Sequence, residues 1–158
     1  MAMQHTPLLM SKIIDRGAKV APNEEIVTAT ENGVRRQTYK ETRDRAHQLA
    51  HALSKAGIAV GDRVGTFMWN GSRHLEAYQA CAGMGAVLHT LNIRLSEKDL
   101  EYIINHAEDQ IIIVDADILP LLEKLEGKMP TVRQVVIATE EGFEGWSTKL
   151  PNAVDYED

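Results

Sequence analysis

Apolar positions switch between a helical period and an extended one along the chain, and the switches mark the elements. Leu9, Ile13 and Ile14 share one helical face between Leu8 and Lys19, with Gly17 weakening the segment and Pro22 following it. Two extended runs, Glu25 to Thr30 and Val34 to Thr38, flank Glu31-Asn32-Gly33. Asn-Gly in that place predicts a hairpin, because both residues tolerate positive φ. Thr38-Tyr-Lys-Glu41 has the spacing of a capping box, and the following helix carries Ala46, Leu49, Ala50 and Leu53 as one stripe. Gly57 fits the left-handed residue that would end it.

From Asp62 onward the pattern alternates. A buried strand is expected over Asp62 to Trp69, a helix from about Ser72 to Ala82, and a short strand over Ala86 to Thr90. Ser96-Glu-Lys-Asp99 repeats the capping-box spacing, with Leu95 and Leu100 placed as a hydrophobic staple. The helix behind it carries Leu100, Ile103, Ile104 and Ala107. Ile111 to Val114 is a β-branched run of the kind covered on both faces of a sheet. A helix over Ile118 to Leu125 ends before Gly127, and Val132 to Ala138 is the last strand. The order predicts an α/β fold: an N-terminal β-hairpin, then helices alternating with a mostly parallel sheet. Residues 1–140 are expected to form one α/β subdomain and residues 141–158 a loop or truncated linker, since the tail is polar and holds Gly142, Gly145 and Pro151. If the cover for Ile111 to Val114 lay elsewhere, exposed apolar surface would drive self-association.

Candidate chemistry is sparse. Gly83-Met-Gly85 begins like a dinucleotide fingerprint, but Leu88 stands where a third small residue is needed and the glycines precede a strand. They read as a tight helix-to-strand turn. His47 and His51 lie one helical turn apart, yet Gln48 occupies the place of a metalloprotease glutamate, so no metal site is assigned. Cys81 sits among small residues and reads as a buried thiol. Asp115 and Asp117 follow a predicted parallel strand, where ligands collect, although Asp117 reads first as a helix cap. Trp69 and Asn70 read first as packing and a turn, and second as a site lining.

Composition narrows the class. The 158 residues are 44% hydrophobic and 25% charged, the range of a globular domain. A net charge of −6 without a basic cluster argues against nucleic acid. The single cysteine and the lack of a signal-like start or a long apolar run lead to the expectation of a cytoplasmic protein without a transmembrane segment.

Several stretches resemble the acyl-CoA synthetase branch of the adenylate-forming enzymes. Thr38-Tyr-Lys-Glu41 resembles that family's first core motif, Leu-Thr-Tyr-x-Glu-Leu, with Gln37 and Thr42 in place of the leucines. Gly61-Asp-Arg-Val64 is similar to its strand entry. The strongest match runs from Asn70 to Asp109, with Gly85-Ala-Val where the second core motif lies. Leu88-His-Thr-Leu-Asn-Ile-Arg-Leu looks like bacterial medium- and long-chain ligases, including methylmercaptopropionate-type ones. The resemblance covers nearly the whole chain. It implies ATP-dependent activation of a carboxylic acid to acyl-AMP and then acyl-CoA, with ATP, CoA and Mg2+ used by the full-length enzyme, a fatty acid as substrate and a possible homodimer. The family's phosphate loop, Tyr-Gly-x-Thr-Glu motif, ribose-binding aspartate and catalytic lysine have no counterpart here. No catalytic, cofactor-binding or metal-binding residue is therefore assigned, and the isolated chain is expected to bind no cofactor and to be inactive. His74, His89, Arg94 and His106 are the conspicuous polar residues of the matched region, without an assigned role. Two other readings stand beside this one: an interaction module that dimerises, and a small nucleotide-binding α/β domain.

Overall fold

Capping and periodicity set the local structure much as the pattern predicts. A computed structural model describes residues 9–30, 33–139 and 145–158. Helix α1 spans Ser11–Val20, and strands β1 (Glu25–Thr30) and β2 (Gly33–Thr38) pair antiparallel with Thr30 opposite Gly33. Residues 31 and 32 of the predicted Asn-Gly turn, and Leu8 of the first predicted helix, lie outside the described residues. Helix α2, Tyr39–Lys55, starts at a complete capping box. Thr38 Oγ1 accepts from the Glu41 backbone N–H, and the Thr38 backbone N–H donates to the Glu41 carboxylate at 2.8 Å.

The remainder alternates: β3 (Arg63–Phe67), α3 (Ser72–Met84), β4 (Val87–Thr90), α4 (Glu97–Ala107), β5 (Ile111–Asp115), α5 (Leu119–Glu123) and β6 (Gln134–Ala138), followed by a two-residue strand β7 (Val154–Asp155). These strands form one parallel sheet in the order β4-β3-β5-β6-β7. Strand β7 departs from the loop or linker expected over residues 141–158. It is too short to carry a period, and its backbone finds partners only at the free edge of β6, so no local signal marks it. Residues 140–144 lie outside the described residues.

The sheet has a core on each face. Ile112, Val114, Phe67, Val135 and Ile137 pack with Leu100, Ile104 and Leu122 on one side. Ile111, Ile113, Val64 and Val136 pack with Leu49, Leu53, Ala77 and Cys81 on the other. All four residues from Ile111 to Val114 are fully buried, so helices within the chain supply the cover on both faces. The edge at β4 stays open, with Val87 about half exposed at 48%. Gly85 ends α3 in the left-handed region at φ +80°, and a Cβ there would press on Val60 at 3.3 Å. The Gly83-Met-Gly85 segment is thus a turn into β4, as read from its order. Among the described residues no helix is long and apolar enough to cross a membrane.

The second predicted capping box is only half formed. Ser96 Oγ accepts from the Asp99 backbone N–H at 3.3 Å, but the Asp99 carboxylate takes the Ser96 hydroxyl at 2.7 Å. Aspartate is one methylene shorter than the glutamate of a full box, and no bond from it to the Ser96 backbone N–H forms. Urea denaturation should therefore separate the two caps: Thr38→Ala is expected to cost about 1 kcal/mol and Ser96→Ala roughly half of that. Equal losses would show that the reciprocal bond at Thr38 contributes nothing.

Candidate functional site

The carboxyl ends of β3 and β5 are a topological switch point. The chain leaves β3 through α3 on one face toward β4, and leaves β5 through α5 on the other face toward β6. Open α/β sheets place ligands at such a divergence. Here the structure gathers four of the residues singled out in the sequence. The Trp69 backbone N–H donates to Asp115 Oδ2 at 2.7 Å, and its indole Nε1–H donates to Asp117 Oδ2 at 2.8 Å. Asp117 therefore does not cap the next helix. The residue before α5 is Ile118, with no side-chain cap, and the Asp117 carboxylate faces back across the strand ends to the indole. Asn70 is exposed beside them. The indole thus bridges the two diverging loops.

His74, on the first turn of α3, supports this arrangement from below. It is buried against β3 and the loop that follows it: Nδ1 lies 3.2 Å from the Trp69 carbonyl oxygen and Nε2 lies 3.0 Å from Thr66 Oγ1. A carbonyl can only accept, so Nδ1 carries the proton and Nε2 accepts from the Thr66 hydroxyl. Burial pushes the His74 pKa below its ordinary value, and the bond to Trp69 opposes that shift only in part.

The other conspicuous residues scatter. His89 on β4 donates through Nδ1 to Asp109 at 2.8 Å, and Asp109 is fully buried. Burial raises the Asp109 pKa, while His89 and then Arg63 hold it back. The carboxylate lies against Gly65, where a Cβ would meet Ile112 at 3.1 Å and Asp109 Oδ2 at 3.2 Å, so a larger residue in β3 would have to press one of them aside. His106 stacks on Tyr102 along α4 with ring centroids 5.5 Å apart. Arg94 is exposed in the loop before α4. His47 and His51 lie on the exposed side of α2, with His47 Nε2 3.7 Å from Asp15. Cys81 is fully buried, and burial pushes its thiol up to about 12, far from nucleophilic use at neutral pH.

A polar assembly centred on Glu76 was not singled out in the sequence. Glu76 on α3 has no exposure to water and accepts from Gln37 Nε2 (2.8 Å), Arg45 Nε (2.8 Å) and the Tyr156 hydroxyl (2.7 Å). Arg45 also holds Glu157 through two bonds of 2.9 and 3.0 Å, and Arg73 reaches the same carboxylate. Both guanidiniums lie within 6 Å of the Tyr156 ring, at 5.9 and 5.8 Å from its centroid. Burial acts to raise the Glu157 pKa, but Arg45 and Arg73 more than offset it and leave it lowered. A signal for this cluster is present in α3. Its buried stripe reads Arg73, Glu76, Ala77, Ala80, Cys81, so two charged residues occupy core spacing. The cluster borders a polar cleft of about 430 Å3 between the hairpin and α2, lined in part by Arg35, Arg36 and Glu41.

Comparisons with known proteins place this geometry. A family model described as "AMP-binding enzyme" matches residues 14–157. A long-chain-fatty-acid–CoA ligase of Thermus thermophilus is 43% identical over 145 residues, covering 91% of this chain and 27% of that protein. A medium-chain-fatty-acid–CoA ligase of Ectopseudomonas oleovorans is 36% identical over 157 residues, covering 99% of this chain and 29% of that protein. Among solved structures, a putative long-chain-fatty-acid CoA ligase from Rhodopseudomonas palustris superposes with a TM-score of 0.79 at 19% identity, over 98% of this chain and 36% of that one; this shows a shared fold. The chain spans less than a third of the length of these curated relatives.

Two measurements test the polar geometry. Glu76→Ala strips the carboxylate from three donors and is expected to cost about 3–5 kcal/mol in urea denaturation. Glu76→Gln should cost much less, because its oxygen can keep Gln37 and Arg45 and its amide can donate to Tyr156. For His74, the folded state holds the ring neutral while the unfolded chain protonates it near the ordinary value of about 6.5. The unfolded state therefore binds more protons, and stability should fall as pH drops below that value toward the lower folded pKa. His74→Gln should flatten the stability curve over the same window; an unchanged slope would place the titration elsewhere.

Proposed function

Because the chain belongs to the AMP-binding enzyme family, we propose that it is the amino-terminal portion of a cytoplasmic fatty-acyl-CoA ligase and provides scaffold within that enzyme's large domain. The observation that carries this reading is the family match across residues 14–157, over a parallel sheet that superposes on a ligase structure. The whole enzyme would join a carboxylic acid to the α-phosphate of ATP, release pyrophosphate, and pass the acyl group from AMP to the thiol of CoA. In this reading the α/β subdomain takes in part of the tail as well, because β7 pairs with β6 and Leu150 lies in the core.

No residue of this chain is assigned as a seat for Mg2+ or a triphosphate. Among the described residues no group of three or more His, Cys, Asp or Glu side chains is placed to hold a metal ion. Gly83 and Gly85, which begin like a dinucleotide fingerprint, form the turn that ends α3 before β4. No catalytic step is therefore derived through this part. Its contribution is positional: Trp69 and His74 fix the strand-end loops, and the two-faced core makes them rigid.

Immunoblotting the native cell with an antibody to this segment tests the reading. A band several times larger than 17.6 kDa is expected. A band at that mass would overturn it and favour a short interaction module. ATP–pyrophosphate exchange by the purified 158-residue chain with octanoate is expected to be absent, and measurable exchange would show that catalytic groups lie within it.

A further inference from the structure

Residues 154–158 are held largely by polar and charged contacts, with Tyr156 the one large apolar side chain among them that packs against the core. Leu150 is buried in the core on the α4 face, and Ala153 packs beside it. Beyond that point the apolar contribution falls: Val154 is 36% exposed and the ladder to β6 has two residue pairs, Val136 with Val154 and Ile137 with Asp155. Past the ladder, the Tyr156 backbone N–H still donates to the Ile137 carbonyl. The side-chain hold then passes to the Tyr156 hydroxyl on Glu76, the paired bonds from Arg45 to Glu157, and Arg73 on the same carboxylate.

We infer that residues 154–158 act as an electrostatically seated strap that opens and closes as a unit while the sheet stays folded. The physical basis is the contrast between the two kinds of hold. Partly exposed charge-assisted bonds weaken when salt screens them, whereas burial of Ile111 to Val114 does not. The Glu157 side chain is about half exposed at 45%, so the Arg45–Glu157–Arg73 clasp lies within reach of screening. Lifting the strap withdraws Tyr156 from its place against the core cluster that includes Leu49 and Ala77 but removes no fully enclosed residue of either core cluster, leaves Glu76 with Gln37 and Arg45, and opens the Arg45 and Arg73 side of the polar cleft to solvent. Local opening of this kind costs less than global unfolding and appears in hydrogen exchange. The inference rests on contacts within residues 9–158, and its test is read separately from that of the ligase reading.

Hydrogen exchange of the intact 158-residue chain, read by mass spectrometry, tests it. Two peptides are compared: residues 151–158, and residues 109–116 around β5. Glu157→Gln, nearly isosteric and on a half-exposed side chain, is expected to speed exchange in 151–158 roughly tenfold and to leave 109–116 unchanged. Raising NaCl to about 1 M should produce a similar acceleration in the parent chain and little further change in the variant. Tyr156→Phe keeps the ring and removes the hydroxyl; it should accelerate 151–158 while preserving the salt response. The inference is overturned if neither salt nor Glu157→Gln alters 151–158. It is equally overturned if both peptides accelerate by the same factor, because the strap would then open only with the whole fold.

Discussion

A carboxylate without access to water must find its hydrogen-bond donors inside the protein, and Glu76 finds them in three separate parts of the chain. Gln37 comes from the hairpin, Arg45 from α2 and Tyr156 from the tail, all converging on α3. Such a group contributes little net stability when fully satisfied, but it penalises every arrangement in which one donor is missing. The relative placement of hairpin, helices and tail is thereby specified more sharply than apolar packing alone would manage. The buried faces of α2 and α3 mix small residues, Ala46, Ala77 and Ala80, with larger ones such as Leu49 and Leu53.

The sheet provides the complementary rigidity. Its central strand β5 sends Ile111 and Ile113 to one core and Ile112 and Val114 to the other, so neither face can loosen without disturbing the same four residues. The strand-end loops inherit that order. Trp69 is tied at its backbone and at its indole to the loop after β5, and His74 is fixed through both ring nitrogens. A rigid set of loops at a topological switch point suits the scaffold role proposed for this part of the chain.

Much of the architecture was legible because it is local. The period of α2, the capping spacing at Thr38 and the β-branched run at Ile111 each carry their own physical signal, and each appears where expected. The polar assemblies were less legible because their partners are far apart in sequence. Asp117 illustrates the error: its place before a helix read as a cap, and only the fold brings the Trp69 indole to it. Strand β7 failed for a related reason, since two residues have no period and are defined by the strand beside them. Glu76 lay in a visible stripe with Arg73, Ala77, Ala80 and Cys81. A charged residue at core spacing marks a buried polar contact, but it does not identify the partners.

The separation between Glu76 and Tyr156 also sets an order of events during synthesis. The two residues are 80 positions apart, and Arg45 and Glu157 are 112 apart. At a typical elongation rate of 5–20 residues per second, Glu76 leaves the peptidyl-transferase centre about 4 to 16 s before its last donor is made. Through that interval α3 carries an incompletely paired carboxylate on the stripe it must bury. The hairpin and α2 can form meanwhile, since their contacts are near neighbours along the chain. Helix α3 can dock through Ala77, Ala80 and Cys81 with Gln37 and Arg45 already on Glu76, and the later residues of this segment then complete the environment of one made much earlier.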